Sequence, residues 1–89
     1  MENIKKMIEE IELGKVSGGK FAGTKFNVGF SFTVGPADDY TKYTILKVYS
    51  MENMYLVLRE DYVNNVLTSS ENREYHNSVL CSLYEIANK

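Results

Sequence analysis

Residues 14–21 read GKVSGGKF, one position short of a phosphate-binding signature. That signature runs Gly, four free residues, Gly-Lys, then Ser or Thr, whose hydroxyl holds magnesium. Gly14, Gly19 and Lys20 occupy the required positions, but Phe21 stands where the hydroxyl belongs. The context is reversed too. A phosphate loop follows a buried strand and opens a helix, so that backbone amides and the helix dipole meet the anion. Here a helical pattern precedes the glycines and a strand pattern follows them. The stretch reads as a glycine-rich connection, and no nucleotide is expected to bind through Lys20.

A weaker chemistry survives in the same region. No acidic residue lies between Glu12 and Asp38, whereas Lys15, Lys20 and Lys25 do. Three lysines on a loop with unpaired amides make an anion-binding surface. An oligomeric anion or nucleotide sponge, closing such lysines from neighbouring subunits around phosphates, is therefore kept as an alternative. Beyond Lys47 the balance turns acidic, with Glu52, Glu60, Asp61, Glu71, Glu74 and Glu85 against Arg59, Arg73 and Lys89.

Other reactive groups are sparse. Cys81 and His76 are each the only residue of their type. A disulfide within the chain is thereby excluded, and a zinc site needs more ligands of these kinds. The two lie five positions apart, about 140° around a helix, and cannot meet as nucleophile and base. No paired-carboxylate motif, serine elbow or metal-ligand spacing is present. The chain reads as a non-enzyme without a cofactor.

The elements that would carry these residues follow from periodicity. In ENIKKMIEEIEL, Ile4, Met7, Ile8 and Ile11 form one apolar stripe, so a helix is expected up to Gly14. KFNVGFSFTVG alternates Phe26, Val28, Phe30, Phe32 and Val34 with small and polar residues, the period of a strand buried on one face. YTKYTILKVYS and MYLVLRE are expected as a second and third strand, joined by short turns into an antiparallel meander. EDYVNNVL fits helix or strand, with the spacing of Val63, Val66 and Leu67 favouring a short helical turn, and Thr68 with Glu71 is read as a capping box that opens a last helix through 71–89. The fold class predicted is α+β: a three-stranded antiparallel meander flanked by an N-terminal and a C-terminal helix, α-β-β-β-α, in a single domain over 1–89.

Size and composition set the outer limits. With 89 residues there is one modest core. Apolar residues at 44% and charged residues at 25% suit a folded domain rather than a disordered chain. A formal net charge of −2 argues against direct nucleic-acid recognition. No run approaches a membrane span or a secretory leader, so a cytoplasmic setting is expected.

Seven tyrosines in so short a chain point to contact surfaces, since Tyr brings large area at small rotamer cost. Both faces of the second and third strands are partly apolar, so either a helix covers each or one stays open and presents tyrosines. The expected partner-binding residues are Tyr43, Tyr49 and Tyr55 beside Glu52, Glu60 and Asp61. In size, mild acidity and element order, carried by MENIKKMIEEI, FNVGFSFTVG…YTILKVYS…MYLVLRE and the acidic last third, the chain resembles small phage-encoded inhibitors of bacterial defence, including anti-CRISPR proteins. That resemblance implies a bacterial host cell, a host protein or ribonucleoprotein as partner, and stoichiometric blocking of a nuclease or its nucleic-acid channel. Strong nucleic-acid mimics are more acidic than this chain, so protein–protein obstruction is the better version. Homo-oligomers stay open.

Overall fold

The computed structural model describes residues 2–14 and 23–88, with side chains from Lys6 onward. Helix α1 spans Glu2–Glu12, followed by strands β1 (Ser31–Val34), β2 (Asp39–Tyr49), β3 (Met54–Val63) and β4 (Val66–His76), and helix α2 closes the order at Asn77–Ala87. The sheet runs β1-β2-β3-β4 with every neighbouring pair antiparallel.

The α+β class and the helix-flanked meander hold, but the strand count is four rather than three. The correction turns on two residues. Asn64 and Asn65 take φ of +54° and +63°. Two consecutive left-handed residues are what a two-residue hairpin with primed geometry demands, and Asn tolerates that region better than most side chains. Val63 and Val66 therefore face each other across a turn instead of stacking on a helix. Thr68 and Glu71 lie in β4 and cap nothing. Helix α2 begins at Asn77, where His76 is the cap residue and its Nδ1 accepts from the Ser78 N–H at 3.1 Å.

The first strand is shorter than its alternation suggests. Ile45 still donates to the Phe30 carbonyl and accepts from the Gly29 N–H, both at 2.9 Å. Gly29 then turns the chain away at φ +92°, which only glycine adopts freely. Phe26 folds back over the sheet and is buried, Val28 is exposed, and Phe30 is 37% exposed.

One core lies between the sheet and the helices. Ile8 and Ile11 of α1, and Val79, Leu80, Cys81 and Leu83 of α2, meet Phe32, Val34, Tyr43, Ile45, Tyr55, Val57 and Tyr75 of the strands. Phe26 joins them through rings at 5.6–6.2 Å from Phe32, Tyr55 and Tyr84. Helix α2 is buried almost all round, as its two apolar flanks anticipate.

Candidate functional site

Strand register sorts every sheet side chain to one of two faces. The face toward the helices carries Thr41, Tyr43, Ile45, Tyr55, Val57, Arg59, Asp61, Ser69, Glu71, Arg73 and Tyr75, directly opposed in pairs such as Tyr43–Arg59 and Tyr55–Tyr75. The other face carries Tyr40, Lys42, Thr44, Leu56, Leu58, Glu60, Tyr62 and Leu67. None of these is buried, and both helices lie on the opposite side, so the outer face is open among the described residues.

That outer face is the candidate site. Its centre is Leu56 and Leu58, flanked by Leu46, which a bulge between Ile45 and Lys47 adds to the β2 side. Toward the Asn64–Asn65 hairpin, Tyr40 and Tyr62 stack at 4.8 Å, beside Leu67. Local desolvation first, then the charge of Glu60 and the neighbouring Tyr40 phenol, holds the Tyr62 phenol above its ordinary value. At the opposite end Tyr49, Glu52, Met54 and Glu74 line a depression of about 220 Å³, and the Lys47 ammonium sits 5.3 Å from the Tyr49 ring centre. The surface thus joins an apolar strip to lysines on β2 and carboxylates on β3 and β4. An apolar centre with a charged margin is also the composition of many protein contact surfaces.

The expected contact residues divide between the faces. Tyr49 and Glu60 are on the outer face, with Glu52 at its edge. Tyr43 and Tyr55 are corrected: at 0% and 2% exposure they belong to the core. The Tyr55 hydroxyl bonds Asn77 Oδ1 at 2.9 Å and accepts from the Phe26 N–H. Asp61 also faces inward. It accepts from Thr41 Oγ1 at 2.6 Å and Ser69 Oγ at 2.9 Å, and it pairs with Arg59. Burial alone would raise its carboxyl, but those hydrogen bonds and the Arg59 charge hold it below its ordinary value. An anionic side chain so fully engaged is structural.

Of the lysines proposed to hold an anion, Lys15 and Lys20 lie outside the described residues. Lys25 is exposed and donates to Asn53 Oδ1 at 2.8 Å, on the rim of a cavity of about 480 Å³ that also includes Tyr49 and Met54. Residues 23–30, the first described after the glycine loop, form no helix.

Sequence reasoning passed over Glu12. Its carboxylate accepts from the Tyr43 hydroxyl at 2.7 Å, the Tyr75 hydroxyl at 3.0 Å, Arg59 Nε at 2.8 Å and Arg73 Nη1 at 3.1 Å. Arg59 also reaches Asp61, and Arg73 reaches Glu71. Burial first, then the Glu12 charge, pushes both phenols well above their ordinary value. Each hydroxyl remains a donor, so the cluster fastens the end of α1 to three strands. One signal was readable: a carboxylate in a helix's last turn opposes the helix dipole and calls for a cationic partner.

Among the described residues, no group of three His, Cys, Asp or Glu side chains is placed to hold a metal, and no helix is long and apolar enough to cross a membrane. A scan against protein-family models and searches of curated proteins and solved structures return no match to this chain.

Proposed function

We propose that this chain is a non-enzymatic binding protein of the anti-defence type. It lays its outer sheet face against a bacterial defence protein, a nuclease or the channel that admits its nucleic acid, and obstructs it in the cytoplasm of the host cell. The observation that supports this reading is the uncovered face itself. Leu46, Leu56 and Leu58 sit between the Tyr40–Tyr62 stack and the Tyr49–Glu74 depression, on a sheet whose other face already supplies the core. Sheets solvated on one face ordinarily turn polar residues outward. This one does not. Apolar and aromatic side chains at the centre supply contact energy on burial, and the lysines and carboxylates around them select the partner by charge.

The test uses the parent chain and a Leu56→Lys/Leu58→Lys variant as bait for nucleases of bacterial defence systems, with each captured nuclease assayed on its substrate. The parent should bind one nuclease and suppress it at stoichiometric amounts, whereas the variant should lose both properties and keep its melting temperature. Equal suppression by both chains would remove the outer face from the reading. Binding without suppression would remove the inhibitor.

A further inference from the structure

Strand β4 is an edge strand eleven residues long, with only Tyr75 buried along it. Proteins commonly blunt such edges with short strands, Pro or Lys. β4 contains neither residue, and its edge is guarded only in part, by the inward-pointing charges of Glu71 and Arg73. Its only irregularity is the extra residue Thr68, opposite the step from Asp61 to Tyr62, near the hairpin end.

Backbone direction along this edge follows from the ladder. The Ile45 N–H and carbonyl point toward the β1 side. Alternation then aims Thr44 at Leu58, and Val57 and Arg59 at their β4 partners Arg73 and Glu71. The bond from the Asn77 N–H to the Asn53 carbonyl keeps the same parity at the far end. So Glu71, Arg73 and Tyr75 spend their backbone groups on β3, while Ser70, Asn72 and Glu74 turn theirs outward. Among the described residues these outward groups have no backbone partner.

We infer that a second copy of this chain pairs with that edge, β4 against β4 antiparallel about a two-fold axis at Asn72, making one eight-stranded sheet. The charges select the register. A two-fold axis normal to the sheet keeps inward residues opposite inward residues, which leaves three central alignments. Centring on Glu71 sets Glu71 against its own copy, and centring on Arg73 sets Arg73 against its own. Centring on Asn72 sets Glu71 of each chain opposite Arg73 of the other, twice. It also makes Asn72 a hydrogen-bonded pair with its copy, and places Ser70 opposite Glu74, where outward backbone groups meet outward groups. The pairing window from Ser70 to Glu74 avoids Thr68. Charge complementarity therefore favours one alignment and opposes its two neighbours.

The experiment is the solution mass by sedimentation equilibrium, measured without any other partner, so it fails or succeeds independently of the outer-face reading. The parent should sediment at twice the protomer mass. Asn72→Pro removes an outward N–H that no contact within the protomer uses, and an edge strand tolerates Pro there. That variant should keep its circular dichroism and sediment as a protomer. Glu71→Arg and Arg73→Glu should each weaken self-association by about tenfold or more through two like-charge pairs. An equimolar mixture of the two should recover the doubled mass, because each Arg then faces a Glu. A parent that sediments as a protomer, or an Asn72→Pro or Glu71→Arg variant as dimeric as the parent, overturns the inference.

Discussion

Replacing Glu12 by Ala should unfasten α1 from the sheet, and the cost can be built from its partners. The side chain is 9% exposed and accepts four hydrogen bonds. Two come from phenols with no other acceptor, on residues that are both buried. A buried donor left unsatisfied costs about 1–3 kcal/mol, so the pair contributes about 2–6 kcal/mol. Arg59 keeps Asp61, and Arg73, whose side chain is 44% exposed, keeps Glu71. Together the arginines add about 1 kcal/mol after solvent screening. The total, about 3–7 kcal/mol, is a large share of the roughly 4–13 kcal/mol expected of a domain this size. Urea unfolding followed by far-ultraviolet circular dichroism should show the midpoint falling by about 2–5 M, for a slope of about 1.5 kcal/mol per M. A double Tyr43→Phe/Tyr75→Phe variant removes the donors and leaves the carboxylate to its arginines, so it should cost less than Glu12→Ala. A midpoint shift below about 0.7 M for Glu12→Ala, or a larger loss for the double variant, would refute the account.

Two further outcomes are expected. Phe26→Ala should cost about 3–5 kcal/mol as a truncated buried ring, and Phe30→Ala less than half of that because the ring is partly exposed; equal losses in thermal melts would reverse the assignment of these rings. Stability should decline at both pH extremes, for opposite reasons. The folded Asp61 carboxyl lies below its ordinary 3.8, so its contribution is complete above that value and is lost as pH falls below it. The Tyr43 and Tyr75 phenols lie above their ordinary 10.0, so their contribution is complete below pH 10 and is lost as pH rises beyond it. Asp61→Asn should flatten the acid limb of the urea midpoint and the double Phe variant the alkaline limb; an alkaline limb unchanged in that variant contradicts the assignment.

The strands that the sequence announces are those whose inward residues are apolar. β2 and β3 alternate around Tyr43, Ile45, Tyr55 and Val57, so period two is plain. β4 sends Ser69, Glu71 and Arg73 inward to a polar cluster, and a strand that faces charge on its inner side has no hydrophobic alternation to read. Its capping-box letters and the spacing of Val63, Val66 and Leu67 then suggested helix where the chain makes a hairpin. The contact surface was half legible for a related reason. Tyr43 and Tyr49 share a parity, yet the extra residue at Leu46 sends Tyr43 inward and leaves Tyr49 on the outer face. A bulge is invisible to a count by twos. Of the two alternatives, a helix on each face or one face open, the described residues show the second, and which tyrosines that face presents depends on the single inserted residue.

The cluster around Glu12 also sets an order of events during synthesis. Its partners lie 31, 47, 61 and 63 residues further along the chain, on β2, β3 and β4. Helix α1 therefore leaves the ribosome ahead of every group that will hold it, and its receptor exists only after Tyr75 has emerged and three strands are in register. The two tight hairpins that build the receptor need only neighbours in sequence and close quickly, whereas contacts across such spans close late. Until then Ile8 and Ile11 have no sheet to cover them. Helix α1 is made before every strand that will secure it.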